Sequence, residues 1–84
     1  MFEIEQTPRF VKELKKLQKS EILRILEKLD FAKENPFLSF ERMSGLPFFK
    51  LRAGKFRIIA RIDFQKKQIA CVSIGLRKNI YKKL

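Results

Sequence analysis

Four cations at even spacings are the residues best suited to chemistry. Lys50 and Arg52 are two residues apart, and Arg57 and Arg61 are four apart. In an extended strand, side chains at even spacings project from the same face. A guanidinium offers a planar fork that matches two phosphate oxygens, and an ammonium adds a compact positive charge. The spacing therefore predicts a phosphate-binding face on a β-sheet.

Further cations and one phenol flank these four residues. Arg77 follows the last apolar run, where it could reach the rim of the predicted face, and Tyr81 comes four residues later. An aromatic ring there could stack on an unpaired base. Lys55 and Lys78 would extend the RNA-binding surface. The alternative is that these charges only keep one face of the sheet solvated. This interpretation fits Arg57 and Arg77 least, because both would lie close to other cations with no acid nearby to offset the repulsion.

The net charge comes from one half of the sequence. Residues 1–41 contain eight Lys or Arg and eight Asp or Glu, and sum to zero. Residues 42–84 contain twelve Lys or Arg and one acid, and carry the whole excess of +11. A one-sided field of this kind attracts polyanions. The distribution predicts a nucleic-acid partner, with an unselective basic surface or an acidic protein partner as the alternatives.

The composition excludes several kinds of catalysis. There is no histidine, which excludes imidazole chemistry, and Cys71 is the only cysteine. An internal disulfide is impossible and a zinc site is disfavoured, so we expect no metal and no cofactor. Cys71 lies in an apolar run and is predicted to be a small buried hydrophobe. Asp63, the single acid of the basic half, is expected to cap or pair at a strand end.

Catalysis by cations on RNA remains open. RNA carries its own nucleophile, because a 2′-hydroxyl lies beside each phosphate. Arginines would stabilise the negative charge that grows on the attacked phosphate, and a lysine or tyrosine could move a proton. Such a site would be incomplete alone and would depend on a partner to hold the RNA in line.

Periodicity predicts the elements that must position these residues. Helical spacing of apolar residues predicts helices over residues 8–17 and from about 21 to 34. Strands are predicted over residues 1–5, 48–52, 56–64 and 68–74. The order β-α-α-β-β-β predicts an α+β fold, with a helix hairpin packed on one face of a small, mainly antiparallel sheet. We expect one domain, residues 1–84.

Capping and turn residues define the predicted boundaries. Thr7 is expected to cap the first helix and Ser20 the second, and Asn35-Pro36 should end the second. Residues 35–45 are predicted to form a loop, and Gly75 is predicted to end the last strand. The tail, residues 76–84, is short and basic.

Eight of the nine phenylalanines divide into two groups. Those predicted to be in the core are Phe2, Phe10, Phe49, Phe56 and Phe64. Those in or beside loops are Phe37, Phe40 and Phe48. The second group could pack locally or form an apolar patch for a partner protein, and the sequence supports both interpretations.

No segment of the sequence has the pattern of a secretory signal, and no apolar stretch approaches 18 residues. We therefore expect a cytoplasmic protein with no membrane partner.

Two stretches of the sequence resemble the RelE family of the RelE/ParE toxin superfamily. The first is Leu46–Asp63, with Lys-Leu-Arg, a turn, an aromatic-Arg pair and an apolar strand. The second is Val72–Tyr81, with Gly, any residue, Arg, three residues and Tyr. The element order matches as well. The resemblance implies a RelE-like fold and a toxin of a type II toxin-antitoxin system, an mRNA interferase that cuts mRNA in the ribosomal A site and makes a 2′,3′-cyclic phosphate.

The resemblance also implies roles for individual residues. Lys50 is similar to a catalytic lysine of the family and Arg52 to a phosphate-binding arginine. Arg57 resembles the arginine that stabilises the scissile phosphate, and Arg77 the second catalytic arginine. Tyr81 resembles the tyrosine that orients or stacks on the substrate. A RelB-like acidic antitoxin, partly disordered when free, is the implied protein partner.

One position departs from the family pattern. Some members carry a second lysine two residues before Lys50, where this sequence has Phe48. The group that transfers the proton is therefore open, and Lys55 or the ribosome could compensate. Two rival functions also remain: a ParE-like gyrase inhibitor on the same fold, and a non-catalytic RNA-binding module.

Overall fold

The computed structural model describes residues 1–83. Within that range the fold is α+β, as predicted. The helices are α1 (Pro8–Leu14), α2 (Lys19–Glu34), α3 (Pro36–Ser39) and a C-terminal 3₁₀-helix (Ile80–Lys83). The strands are β1 (Glu3–Gln6), β2 (Phe40–Arg42), β3 (Phe49–Ala53), β4 (Phe56–Asp63) and β5 (Gln68–Leu76). No described helix combines the length and the apolar character needed to cross a membrane.

One sheet contains all five of the described strands, in the order β1-β5-β4-β3-β2. The predicted, mainly antiparallel character of the sheet is confirmed, because β4 pairs antiparallel with both β3 and β5 and the three strands form a meander. The N-terminal strand β1 lies at one edge, parallel to β5. At the other edge, β2 pairs antiparallel with β3.

The prediction of a loop over residues 35–45 is wrong for residues 36–42 and holds for residues 43–45. Asn35 ends α2, and Pro36 then starts the short helix α3, because its fixed φ suits a first helical turn. Phe40 follows as the first residue of β2, opposite Leu51, and both side chains are buried in the same core. Burial of Phe40 against β3 is a tertiary contact, which a three-residue strand does not reveal through its own periodicity.

Other predicted boundaries shift by a few residues. The first helix ends at Leu14 rather than at residue 17. Helix α2 starts at Lys19, so its N-cap residue is Gln18 and not Ser20. The Gln18 N–H donates to the Glu21 carboxylate at 3.0 Å, which satisfies a donor at the helix start. Gly75 does not end the last strand, since β5 continues to Leu76.

The main core lies between the helices and one face of the sheet. Phe10 and Leu14 of α1 and Ile25 and Leu29 of α2 pack against alternate residues of the strands. The strand residues in this core are Phe40, Leu51, Ala53, Phe56, Ile58, Ala60, Ile69, Cys71 and Ile74. Burial of Cys71, which was predicted, raises the pKa of its thiol to about 12.

A second core, which was not predicted, covers part of the opposite face. It consists of Met43, Ile59 and Ile80, with Phe48 packed against it. The sequence places Ile59 on the polar side of β4, yet Ile59 and Ile80 are both fully buried. The second core therefore fixes the C-terminal 3₁₀-helix on the sheet face that carries the predicted cations.

Helix α1 closes the edge of β5 beyond the last residue of β1. The β1–β5 ladder stops at Gln6–Cys71, and the Thr7 hydroxyl then donates to the Cys71 carbonyl at 2.8 Å. Further along, the Glu13 carboxylate accepts the Ser73 hydroxyl at 2.7 Å and the Ile74 N–H at 3.1 Å. Side chains thus take over the bonding of an edge that would otherwise be open to other chains.

Candidate nucleic-acid interface

The ladder registers bring the predicted cations together in two neighbouring rows. Arg52 lies opposite Arg57, and Arg57 lies opposite Gly75 on the far side. In the next row, Lys50 lies between Glu41 and Ile59. Since the intervening residues of β3 and β4 enter the main core, these two rows face away from the helices.

Arg57 is the most firmly held of these cations. Only 8% of the residue is exposed, and its Nη1 donates to the carbonyls of Gly54 and Phe56, each at 2.8 Å. Arg57 therefore does not extend into solvent, because its guanidinium folds back onto the β3–β4 turn. Gly54 has a φ of +62°, which favours glycine, so this turn conformation is built into the sequence.

Arg77 extends the group from the end of β5. Its backbone N–H donates to the Lys55 carbonyl at 3.0 Å, one step beyond the Phe56–Leu76 pair. Arg77 is the first residue beyond β5, and this bond holds its backbone at the β3–β4 turn, two residues after Gly75, which lies opposite Arg57. Arg77 itself is exposed. We refer to Lys50, Arg52, Arg57 and Arg77 as the cation cluster.

Lys50 has two partners within the described residues. Its Nζ lies 3.6 Å from a carboxylate oxygen of Glu41 and 5.7 Å from the centre of the Tyr81 ring. Tyr81 is 41% exposed, and its neighbour Ile80 is anchored in the second core. The structure thus places Tyr81 against the cation cluster, as a partner of Lys50.

Glu41 is the site residue that the sequence analysis did not identify. It lies in the stretch predicted to be a loop, and Asp63 is the only acid that the sequence places in the basic half. Asp63 accepts the N–H groups of Gln65 and Lys66 at 3.0 Å, so the prediction that it caps a strand end is confirmed. No sequence signal could have revealed β2, because Phe40 is buried while both Glu41 and Arg42 are exposed, and three such residues show no alternation.

Two of the remaining predicted RNA-binding residues, Lys55 and Arg61, lie apart from the cation cluster. The Lys55 ammonium is 3.3 Å from Glu21 and 5.5 Å from the Phe56 ring, which places it on the helix side of the sheet. Arg61 shares the face of Arg57 but lies about 13 Å along β4, stacked over Phe48 at 5.4 Å. Lys78 is exposed in the turn after β5.

An exposed apolar patch lies on and beside α3. Phe31, Phe37 and Leu38 are 57%, 78% and 81% exposed, and Phe37 stacks on Phe64 at 5.1 Å. Phe64, predicted to be core, is 41% exposed because it lies in the turn beyond β4. Phe40 and Phe48 pack locally in the two cores, so Phe37 alone of the three loop phenylalanines contributes to a surface patch.

The arrangement is suited to binding a phosphate. Across residues 1–83, Lys50 is the one member of the cation cluster with an ion pair. Like charges that face each other across two strands repel, and an anion between them relieves the repulsion. No three acidic, cysteine or histidine side chains in the described range lie close enough together to hold a metal ion.

No protein-family model matches the chain, and no curated protein does. Solved structures do resemble it. The RelBE2 toxin-antitoxin complex from Mycobacterium tuberculosis aligns with a TM-score of 0.81 at 19% identity, over 90% of this chain and 98% of that one. The isolated E. coli RelE toxin aligns with a TM-score of 0.77 at 23% identity, over 99% of this chain and 94% of that one. The RelE-RelB complex from Pyrococcus horikoshii aligns with a TM-score of 0.76 at 23% identity, over 90% of this chain and 94% of that one. The chain therefore has the fold of the RelE toxins.

Proposed function

We propose that this chain, with its RelE toxin fold, is the toxin of a toxin-antitoxin pair and cleaves mRNA in the ribosomal A site. The observation that carries the proposal is the position of Arg57. Its buried guanidinium is held by two backbone carbonyls, and the residue lies opposite Arg52 in the strand register. A donor fixed before the substrate arrives stabilises developing charge without reorganisation in the transition state.

Each member of the site has a distinct proposed role. Arg57 and Arg77 stabilise the negative charge that grows on the scissile phosphate, and Arg52 binds a phosphate of the same strand. Lys50 neutralises a phosphate oxygen, and Tyr81 contacts the substrate from the 3₁₀-helix. The attacking group is the 2′-hydroxyl of the RNA, so the products carry a 2′,3′-cyclic phosphate and a 5′-hydroxyl. Arg61 and Lys78 bind flanking RNA.

The dependence on a ribosome follows from the openness of the site. The cations bind phosphates regardless of base, and they lie on one face of a sheet. A flexible RNA would meet such a face in many poses. In-line attack requires one orientation, which a second body holding the mRNA would provide.

The proposed protein partner is an acidic, RelB-like antitoxin. The apolar patch of Phe31 and Leu38 lines a groove of about 410 Å³ that also contains Lys28, Lys50 and Arg52. A partly disordered acidic segment with apolar anchors would satisfy both kinds of surface as it folds on binding. We place both proteins in the cytoplasm, where translating ribosomes are found.

The test is cell-free translation with the wild type beside Arg77→Ala, followed by mapping of RNA 3′ ends. The wild type should arrest translation and leave cuts within codons at the A site, and the variant should not. Blocked DNA supercoiling without RNA cleavage would favour a gyrase inhibitor. If the protein binds RNA but neither cleaves it nor blocks supercoiling, the function is that of a non-catalytic RNA-binding module.

A further inference from the structure

Glu41 is the one carboxylate of residues 1–83 that contacts the cation cluster. Other acids have different partners or positions. Glu13 bonds β5, Glu21 pairs with Lys55, and Asp63 caps a turn. Of the remaining acids, Glu3 and Glu5 lie on β1, and Glu27, Asp30 and Glu34 lie on α2.

Cleavage by a 2′-hydroxyl requires a group that accepts its proton. Arginine stays protonated in proteins, and a lysine ammonium is a donor with no acceptor site. The sequence contains no histidine. Around the cation cluster, a carboxylate is thus the side chain suited to act as a base at neutral pH.

The sheet holds Glu41 in a defined position. β2 is fixed by Phe40, which is buried in the main core, and the chain just after it by Met43, which is buried in the second. Between these anchors, 61% of the Glu41 side chain remains exposed, so a substrate can reach the carboxylate.

Glu41 and Tyr81 approach Lys50 from two sides of its strand. Glu41 belongs to β2, which flanks β3 at the sheet edge. Tyr81 belongs to the 3₁₀-helix, whose Ile80 packs on Ile59 of β4, the strand on the other side of β3. A carboxylate and a phenol are therefore both near a phosphate that binds the Lys50 ammonium.

We infer that Glu41 is the general base of the cleavage reaction, an assignment that rests on the proposed ribonuclease function. A carboxylate oxygen of Glu41 takes the proton of the 2′-hydroxyl as the bond from that oxygen to phosphorus forms. The bond from phosphorus to the 5′-oxygen breaks, and the Tyr81 hydroxyl gives its proton to the leaving oxygen. Both side chains then exchange protons with water. No oxidant, metal or further reactant enters the step.

The test compares Glu41→Gln with Tyr81→Phe in a purified ribosome programmed with mRNA, in single-turnover conditions. Glu5→Gln is the matched control, because Glu5 is an exposed glutamate on the opposite edge strand. Three RNAs are used: an ordinary one, one with a 2′-deoxy nucleotide at the cut, which measures binding, and one with a 5′-sulfur leaving group, which departs without a proton. Circular dichroism checks that each variant is folded.

Glu41→Gln should cleave ordinary RNA about 100-fold or more slowly than wild type, as expected for loss of a general base. Its affinity for the deoxy RNA should change less than about threefold, because one exposed ion pair contributes little to binding. The RNA with the sulfur leaving group should restore the cleavage rate of Tyr81→Phe, and cleavage by Glu41→Gln should stay slow.

Two results would overturn the assignment while leaving the ribonuclease function intact. One is cleavage by Glu41→Gln at the rate of Glu5→Gln. The other is rescue of Glu41→Gln by the sulfur leaving group, which would place Glu41 on the leaving-group side. Absence of cleavage by the wild type would instead refute the proposed function itself.

Discussion

Arg52 and Arg57 lie directly opposite each other across β3 and β4, two like charges held on one face by the backbone register. Like charges directly opposite each other on neighbouring strands are destabilising relative to neutral residues. No acid offsets either charge, since none of the ion pairs in residues 1–83 involves Arg52 or Arg57. A phosphate between them converts the repulsion into two favourable interactions.

Replacing Arg57 should slow the proposed cleavage strongly and leave the fold intact. We expect Arg57→Ala to slow the reaction roughly 100- to 1000-fold, the usual effect of removing one preorganised donor from a developing anion. Loss of its bonds to the Gly54 and Phe56 carbonyls should lower the free energy of unfolding by only about 1 kcal/mol. Single-turnover cleavage and thermal unfolding measure the two effects. Full toxicity of both Arg57→Ala and Arg77→Ala in a host would refute the site.

Removing the anchor of the 3₁₀-helix should affect the site and the fold together. Ile80 is fully buried in the second core, next to Tyr81. Ile80→Ala should lower the free energy of unfolding by about 2 kcal/mol, the low end for a buried isoleucine, because the chain end can relax into the space. The cleavage rate should fall as well, since Tyr81 loses its position over Lys50. Leu23→Ala, at a residue 54% exposed on α2, is the control and should alter neither. Unchanged cleavage by a destabilised Ile80→Ala would show that Tyr81 does not need the anchor.

Cys71 should be unreactive in the folded protein. Burial raises the pKa of its thiol to about 12, so the reactive thiolate is scarce at pH 8 and reagents have no access. A colorimetric thiol reagent should label Cys71 in denaturant and not under native conditions. An unfolded thiol ionises near pH 9, so this group stabilises the fold fully below that pH. Its contribution should be lost progressively as the pH rises from about 9 towards 12. Rapid native labelling at pH 8 would contradict the buried position.

Truncation of Glu13 should open the edge of β5. Its carboxylate accepts the Ile74 N–H and the Ser73 hydroxyl, and Glu13→Ala leaves both without that partner. We expect a loss of about 1–3 kcal/mol in the free energy of unfolding, typical of unsatisfied buried groups. Hydrogen exchange at the Ile74 amide should accelerate. Glu27→Ala, at an exposed position of α2, controls for the loss of a negative charge. Equal stability of the two variants would argue against this role of Glu13.

The sequence alone determined the meander and the face on which its cations lie. Strand side chains alternate strictly, so the apolar run from Phe56 to Ile62 assigns Arg57 and Arg61 to one side without reference to any other part of the chain. The turn at Gly54 is likewise a local feature of the sequence. So is the two-residue spacing that places Lys50 and Arg52 on one face of β3. The fold class follows from these local patterns and from the need of the helices to bury their apolar stripes.

Tertiary structure decided which of these cations act together. The burial of Arg57, the pairing of Glu41 with Lys50 and the contact of Tyr81 with Lys50 all join residues from different elements. Lys55 is near Arg57 in sequence, yet its ammonium lies against Glu21 of α2 on the other side of the sheet. No periodicity encodes such contacts, because each depends on two segments whose relative position is set by packing of the cores.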